Sequence, residues 1–318
     1  MTGGRAGKVV AAAVAAAATA GCGFGPGPSS EGDATLTVTH DYGREVVLEA
    51  TDSDPSESET VLRMLDREAE ITTRYGGGFV QSIDGVAGGV EDGRTSDWFF
   101  FVNGIESDRG AAEVDVRGGD RVWWDFRDWT DALRTPAVIG SWPEPFAQAS
   151  AGSDPIPVQV ICDGRRSTCG QVAERLADAG VDAGIANPPA AAEADGDAPA
   201  LRLLVGAWPA IDDDPAAAQL DRGPQSSGVF ARFVDGPQGW RLLGLDQGAE
   251  PVARLGAGAG LVAAVRDGDD PPTWLVTGTD AAGVERAAAL LRPGRLADRY
   301  ALAALGGHVV PLPAAEAR

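Results

Sequence analysis

Between residues 35 and 130 the apolar positions recur mainly with a period of two, interrupted once by a helical spacing. TLTVTHD (35–41) alternates β-branched and polar residues and predicts a strand, paired across Tyr42-Gly43 with REVVLEAT (44–51). SESETVLRMLDREA (56–69) then places Val61, Leu62, Leu65 and Ala69 on one helical face, and Ser56 with Glu59 has the spacing of a capping box. ITTRY (71–75) and GFVQSID (78–84) predict two strands separated by Gly76-Gly77. DWFFFV (97–102) runs into Asn103-Gly104, the pair favoured by a type I′ hairpin turn, and GGDRVWWDF (118–126) closes the unit. Two strands, a helix and several further strands is the element order of a β-grasp fold.

The aromatic strand carries the question of function. Alternation puts Trp98, Phe100 and Val102 on one face and Phe99 and Phe101 on the other. In the closing strand Val122, Trp124 and Phe126 lie opposite Trp123 and Asp125. One face must pack on the helix; the second is covered by another part of the chain or forms an aromatic ligand platform.

Several motifs in this unit occur in the order found in the transcobalamin-like C-terminal domain family: Thr60-Val61-Leu62, Ile83-Asp84-Gly85, Trp98 to Gly104, and Gly119-Asp120 with Val122 to Trp124. The chain resembles that family over less than a third of its length. The resemblance implies a β-grasp module that binds a soluble ligand, cobalamin-like or otherwise bulky and partly apolar, without catalysis, on an exported protein that supports uptake through a membrane transporter. Its ligand-facing candidates here are Tyr75, Phe79, Trp98, Phe99, Phe101, Asn103 and Trp123. The alternatives are a structural or adhesive surface protein binding another protein or a glycan, and an enzyme housed in the rest of the chain.

Residues 131–154 hold three prolines and read as a non-repetitive connector that Trp142 and Phe146 pack against a domain. Beyond it, strand and helix signals alternate: PVQVIC, then STCGQVAERLADAG with Thr168 and Gln171 in capping-box spacing and Gly180 as terminator, then ALRLLVGAW and DDPAAAQL. GVFARFV and GWRLLGLD form a hairpin across DGPQG, and TWLVTGTD leads into the helix AAGVERAAALL before RYALAAL and GHVVPL. A C-terminal α/β domain with a mixed sheet (155–318) follows, so the whole chain is expected to be α+β. NPPAAAEADGDAPA (187–200) reads as a low-complexity loop.

Charge narrows the partners. Net charge is −21 and Lys8 is the lone lysine, which argues against a phosphate-binding basic face of nucleic-acid type and against electrostatic docking of the whole surface on anionic lipid. Arg5 and Lys8 precede the apolar run Val9–Ala20, which is shorter than the ~20 residues of a spanning helix and reads as a signal peptide. Thr19-Ala20-Gly21-Cys22 resembles the bacterial lipobox, with threonine where an aliphatic residue is usual. That likeness implies cleavage after residue 21, lipidation of Cys22, a tether over 22–34, and a protein held outside the cytoplasm by lipid alone. A plain secretory leader is the alternative. Cys162 and Cys169 then remain as a pair in an oxidising compartment and are expected to form a disulfide, with two buried thiols as the alternative.

Catalytic and metal patterns are missing from the sequence: there is no G-x-S-x-G, H-E-x-x-H or P-loop lysine, and there are two histidines. No metal site and no cofactor is expected. Gly256 to Gly260 lacks the spacing of a phosphate loop, Asp212-Asp213-Asp214 before Pro215 reads as a helix cap, and Gly278-Thr279-Asp280 reads likewise.

Overall fold

The computed structural model describes residues 1–2, 30–75, 78–151, 156–188 and 200–315. The rest of the leader, Cys22, most of the tether, Gly76-Gly77 and residues 189–199 of the acidic loop lie outside the described residues.

The N-terminal unit comprises Asp33–His40 (β1), Glu45–Ser53 (β2), Val61–Glu68 (α1), Ile71–Arg74 (β3), Phe79–Ile83 (β4), Val86–Ala87 (β5), Gly89–Glu91 (β6), Arg94–Val102 (β7), Ile105–Glu106 (β8) and Arg121–Asp128 (β9). One sheet runs β2-β1-β9-β7-β6, with β8 added to β7, and β3, β4 and β5 form a small separate sheet. β1 and β9 pair in parallel; the other pairs are antiparallel. The turn between β7 and β8 has positive φ at both Asn103 (55°) and Gly104 (78°), as a type I′ hairpin requires.

α1 forms because Val61, Met64 and Leu65 make one buried stripe at helical spacing. Its cap differs from the expected box. The Thr60 hydroxyl accepts from the Arg63 amide at 3.3 Å, and the Ser56 to Glu59 stretch precedes the helix as a turn closed by its backbone. Thr60 offers the same acceptor chemistry four residues later, directly before the apolar stripe. The stripe packs on Leu36, Val38, Phe100, Trp98, Val122 and Trp124, the inner face of the sheet.

The connector holds a short helix, Phe146–Ala151 (α2). The C-terminal unit follows with Val158–Asp163 (β10), Arg166–Asp178 (α3), Ala183–Ala186 (β11), Leu201–Ala207 (β12), Trp208–Ile211 (α4), Pro224–Ser227 (α5), Ala231–Val234 (β13), Arg241–Leu245 (β14) and Pro251–Leu255 (β15). Gly260–Val265 (β16), Thr273–Gly278 (β17), Ala281–Leu290 (α6), Pro293–Leu296 (α7), Ala301–Leu305 (β18) and His308–Leu312 (β19) complete it. The large sheet runs β11-β10-β12-β17-β16-β18-β19, parallel up to β17 and antiparallel beyond, so it is mixed as expected. β13 to β15 form a three-stranded meander.

Each face of the large sheet has its own cover. Val160, Leu203, Val205, Val262, Trp274 and Val276 pack against α3, α6 and the connector's Trp142 and Phe146. Ile161, Leu204, Leu261, Ala263 and Leu275 face the other way. α3 begins at Arg166 with no side-chain cap, so Thr168 is a buried residue within the helix and not its cap; Gly180 terminates the segment at φ 80°. Cys162, late in β10, is bonded to Cys169 on α3 with Cα atoms 5.8 Å apart. The protein is thus a mixed α+β structure, and among its described residues no helix is long and apolar enough to cross a membrane.

Candidate functional site

Strand register sorts the outer face of the N-terminal sheet into rows. Glu49, Thr37, Trp123 and Phe101 form one; Thr51, Thr35 and Arg121 form the next; Thr39, Asp125 and Phe99 the third. The chain treats these rows differently. Toward β7 and β9 the face is aromatic and covered by the C-terminal unit, whose Tyr300 and Phe230 share a continuous core with Tyr42, Phe101 and Trp123. The Tyr300 ring lies 4.9 Å from Tyr42, 5.2 Å from Trp123 and 5.7 Å from Phe101.

Three ionisable side chains, Asp125, Arg127 and Glu106, are buried in this seam. The Asp125 carboxylate accepts from the Thr39 hydroxyl (2.6 Å), the Gly43 amide (3.1 Å) and the Tyr300 hydroxyl (2.8 Å). Burial raises the Asp125 pKa above the ordinary carboxylate value against the pull of those donors, and it raises that of Tyr300 well above 10. The Arg127 guanidinium lies 3.8 Å over the Phe99 ring, donates to the Ala132 carbonyl at 2.7 Å and meets Glu106 at 3.1 Å. Glu106 also accepts from the Thr135 amide at 2.8 Å. The seam is therefore a paired and hydrogen-bonded polar centre inside an aromatic ring.

Toward β1 and β2 the same face is hydroxylic and remains open. A cleft of about 360 Å³ lies there, floored by Thr35, Thr37, Glu49, Arg121 and the edge of Trp123, and walled by Ser141 of the connector and Asp298 of the C-terminal unit. Asp298 sits at φ 56° just after α7. Burial lifts its carboxyl above the usual range; Arg299 opposes this, Glu49 adds to it and Arg121 opposes it. One cation, two carboxyl groups and four hydroxyls from Thr35, Thr37, Thr51 and Ser141 thus converge on a cleft between the two units, a common place for a small-molecule site.

The seven residues expected to face a ligand do not line one site. Trp98 is buried on the inner face, its indole N–H donating to the Val86 carbonyl at 2.8 Å. Phe101 and Trp123 are buried on the outer face, and the Trp123 N–H is held by Thr39 at 2.8 Å. Phe99 is half-buried under Arg127. Asn103 is a turn residue whose amide donates to Asp120 (2.7 Å) and accepts from the Arg121 amide N–H (2.9 Å). Tyr75 is 87% exposed and Phe79 37% exposed, both on the β3–β4 hairpin. The common platform fails to assemble because a strand's alternation sends Trp98 and Phe101 to opposite faces and each face is covered by protein. Of the seven, Trp123 alone borders the interdomain cleft.

The remaining polar motifs are structural. Asp214 accepts from the Ala216 amide at 2.9 Å and pairs with Arg202 at 2.6 Å. Asp280 caps α6 through the Gly283 amide (2.9 Å) and also holds the Gly258 amide (2.7 Å). Gly260 lets α6 approach β16, since a Cβ there would fall 2.3 Å from the Gly283 carbonyl. Among the described residues no group of three or more His, Cys, Asp or Glu is placed to hold a metal ion.

Comparison with known proteins finds a family model that matches part of the chain. Residues 58–128 match the family described as a domain of unknown function, DUF4430. Among solved structures the chain is similar to a protein from Ruminococcus gnavus provisionally described as metal-binding, at 18% identity and a TM-score of 0.24, covering 31% of this chain and 98% of that one. No curated protein matches.

Proposed function

We propose that the protein is a non-catalytic, extracytoplasmic binding protein, anchored by lipid at Cys22, that holds a small hydrogen-bonding molecule in the interdomain cleft in support of uptake by a membrane transporter. The cleft lined by Thr35, Thr37, Glu49, Arg121, Ser141 and Asp298 is the observation that carries this reading. Its position between two units that share one core supports a preorganised site. The anchor rests on the leader and on Thr19 to Cys22. Parallel pairing of β1 with β9, with α1 across the inner face, supports reading the N-terminal unit as a β-grasp module of transcobalamin-like type.

The volume revises the expected ligand. About 360 Å³ is near the low end of small-molecule sites, which span roughly 300–1,000 Å³. That volume favours a ligand smaller than a corrinoid. Hydroxyls, one guanidinium and two carboxyls suit a compact polar ligand such as a sugar, a polyol or an amino acid.

The test is a binding screen of purified protein by thermal shift and titration calorimetry, with such molecules and a corrinoid in the panel. A compact polar hit should lose about 10- to 100-fold in affinity in Arg121→Ala, the loss of one charge-assisted hydrogen bond, with little change in stability because Arg121 is exposed. Hits that bind Arg121→Ala and Glu49→Gln as tightly as wild type would refute the cleft as the site.

A further inference from the structure

A second cleft, of about 280 Å³, lies where α6 and α7 meet the β18–β19 turn. Its charged and titratable lining is Arg286, Arg292, Arg295 and His308, with no carboxylate among the residues that line it. The chain as a whole has 47 acidic against 26 basic residues, so a cleft with three arginines and no carboxylate runs against the average of the molecule.

The nearest acids in sequence are directed elsewhere: Asp298, three residues after Arg295, lines the interdomain cleft and not this one. Glu285, beside Arg286 on α6, pairs with Arg165 at 2.7 Å. Both oxygens of Asp280 are taken by backbone amides, those of Gly283 and Gly258. Arg286 is oriented by a hydrogen bond to the Gly258 carbonyl at 2.5 Å. Arg292 and Arg295 make no ion pair with protein among the described residues. Gly306 and Gly307 form the rim, and a Cβ built on either meets no atom within 4 Å, so the backbone at the turn is open to an incoming group.

We propose that this cleft binds a phosphate group. Three guanidinium groups supply forked donors that match phosphate oxygens, and their summed charge suits a dianion or a phosphodiester held by several arginines. The site is separate from the interdomain cleft. Leu290 and Ala304, which line it, belong to the core on the α3 and α6 face of the large sheet, opposite the face that meets the N-terminal unit. The phosphate is carried by a soluble phosphorylated ligand or by a phospholipid headgroup.

The experiment measures thermal stabilisation and calorimetric binding of inorganic phosphate by the purified full-length protein, against chloride at equal ionic strength. A parallel arm measures co-sedimentation with vesicles of phosphatidylglycerol and phosphatidylcholine in equal parts. The Arg292→Gln/Arg295→Gln variant should bind about tenfold more weakly or worse in the arm that is positive, while Arg254→Gln, an exposed arginine on β15, should bind as wild type. Free phosphate binding lost in the double variant supports a soluble ligand; arginine-dependent vesicle binding supports a headgroup. No effect of phosphate beyond chloride together with no vesicle binding, or equal binding by wild type and the double variant, would overturn the proposal.

Discussion

Tyr300→Phe isolates one bond in the seam between the two units. The Tyr300 hydroxyl donates to Asp125 Oδ2 at 2.8 Å, while Oδ1 is served by Thr39 and the Gly43 amide. Asp125 has 0% exposure, so water cannot replace the missing donor without opening the interface. Phenylalanine keeps the ring contacts with Tyr42, Trp123 and Phe101, and the packing contribution to the change is therefore small. What is lost is a hydrogen bond to a buried carboxylate, worth about 1.5–3 kcal/mol. Taking about 2 kcal/mol, and roughly 2–4 °C per kcal/mol for a chain of this size, Tm should fall by about 4–8 °C. Urea unfolding followed by tryptophan fluorescence is the direct assay, because Trp123 lies 5.2 Å from the Tyr300 ring and reports on the seam. The core that holds Tyr42, Phe101 and Trp123 also holds Phe230, Leu261 and Tyr300, so wild type and variant should each unfold in one transition. A variant within about 0.5 kcal/mol of wild type would refute the reasoning, since a buried carboxylate deprived of its donor cannot be neutral in a closed interface.

Alkaline pH should loosen the same seam. Burial raises Tyr42 to about 12 and Tyr300 well above 10, so their contribution is complete below pH 10 and is lost as pH rises toward 12; Tyr42 alone accounts for about 2–3 kcal/mol at full titration, and melts from pH 8 to 12 should show a fall that Tyr42→Phe reduces. Replacing both Cys162 and Cys169 by alanine should lower stability by about 2–3 kcal/mol, the loop-closure contribution for a sequence separation of 7, read as a lower urea midpoint. Cys22→Ser should move the protein from the membrane to the soluble fraction on cell fractionation; equal membrane retention, with no lipid on wild-type Cys22, would remove the anchor.

Local pattern and long-range contact were unequally legible. The period-two strands, the Asn103-Gly104 turn, the β13–β14 hairpin and the packing role of Trp142 and Phe146 all follow from nearest-neighbour rules, and the structure has each of them. Helix starts were displaced because serine, threonine and acidic residues crowd both boundaries: Thr60 caps α1 where Ser56 was expected, and Thr168 is buried inside α3. Nothing periodic joins Trp123 to Tyr300 or Thr37 to Asp298, so neither the cover of the aromatic face nor the wall of the cleft could be read from spacing. One signal was present. Asp125 and Arg127 share the outer face with Trp123, and charged residues among aromatics in a central strand call for buried partners rather than solvent.

On the proposed reading, the division of that outer face lets binding and cohesion share one sheet. If the whole face were aromatic, the C-terminal unit would cover all of it and leave no cleft. If it were hydroxylic throughout, the two units would meet through a wet surface of the kind that permits relative motion. Instead Phe101, Trp123 and Tyr300 exclude water over β7 and β9, while Thr35 and Thr37 of β1 and the Glu49 side of β2 stay accessible beside them. Trp123 belongs to both regions, buried in the seam and edging the cleft. Its indole is fixed by Thr39, whose hydroxyl in turn donates to Asp125, so one side of the cleft is held by the same hydrogen-bonded chain that closes the interface. A ligand in the cleft therefore meets a wall already ordered by folding, and the entropy of ordering Trp123 does not recur on binding.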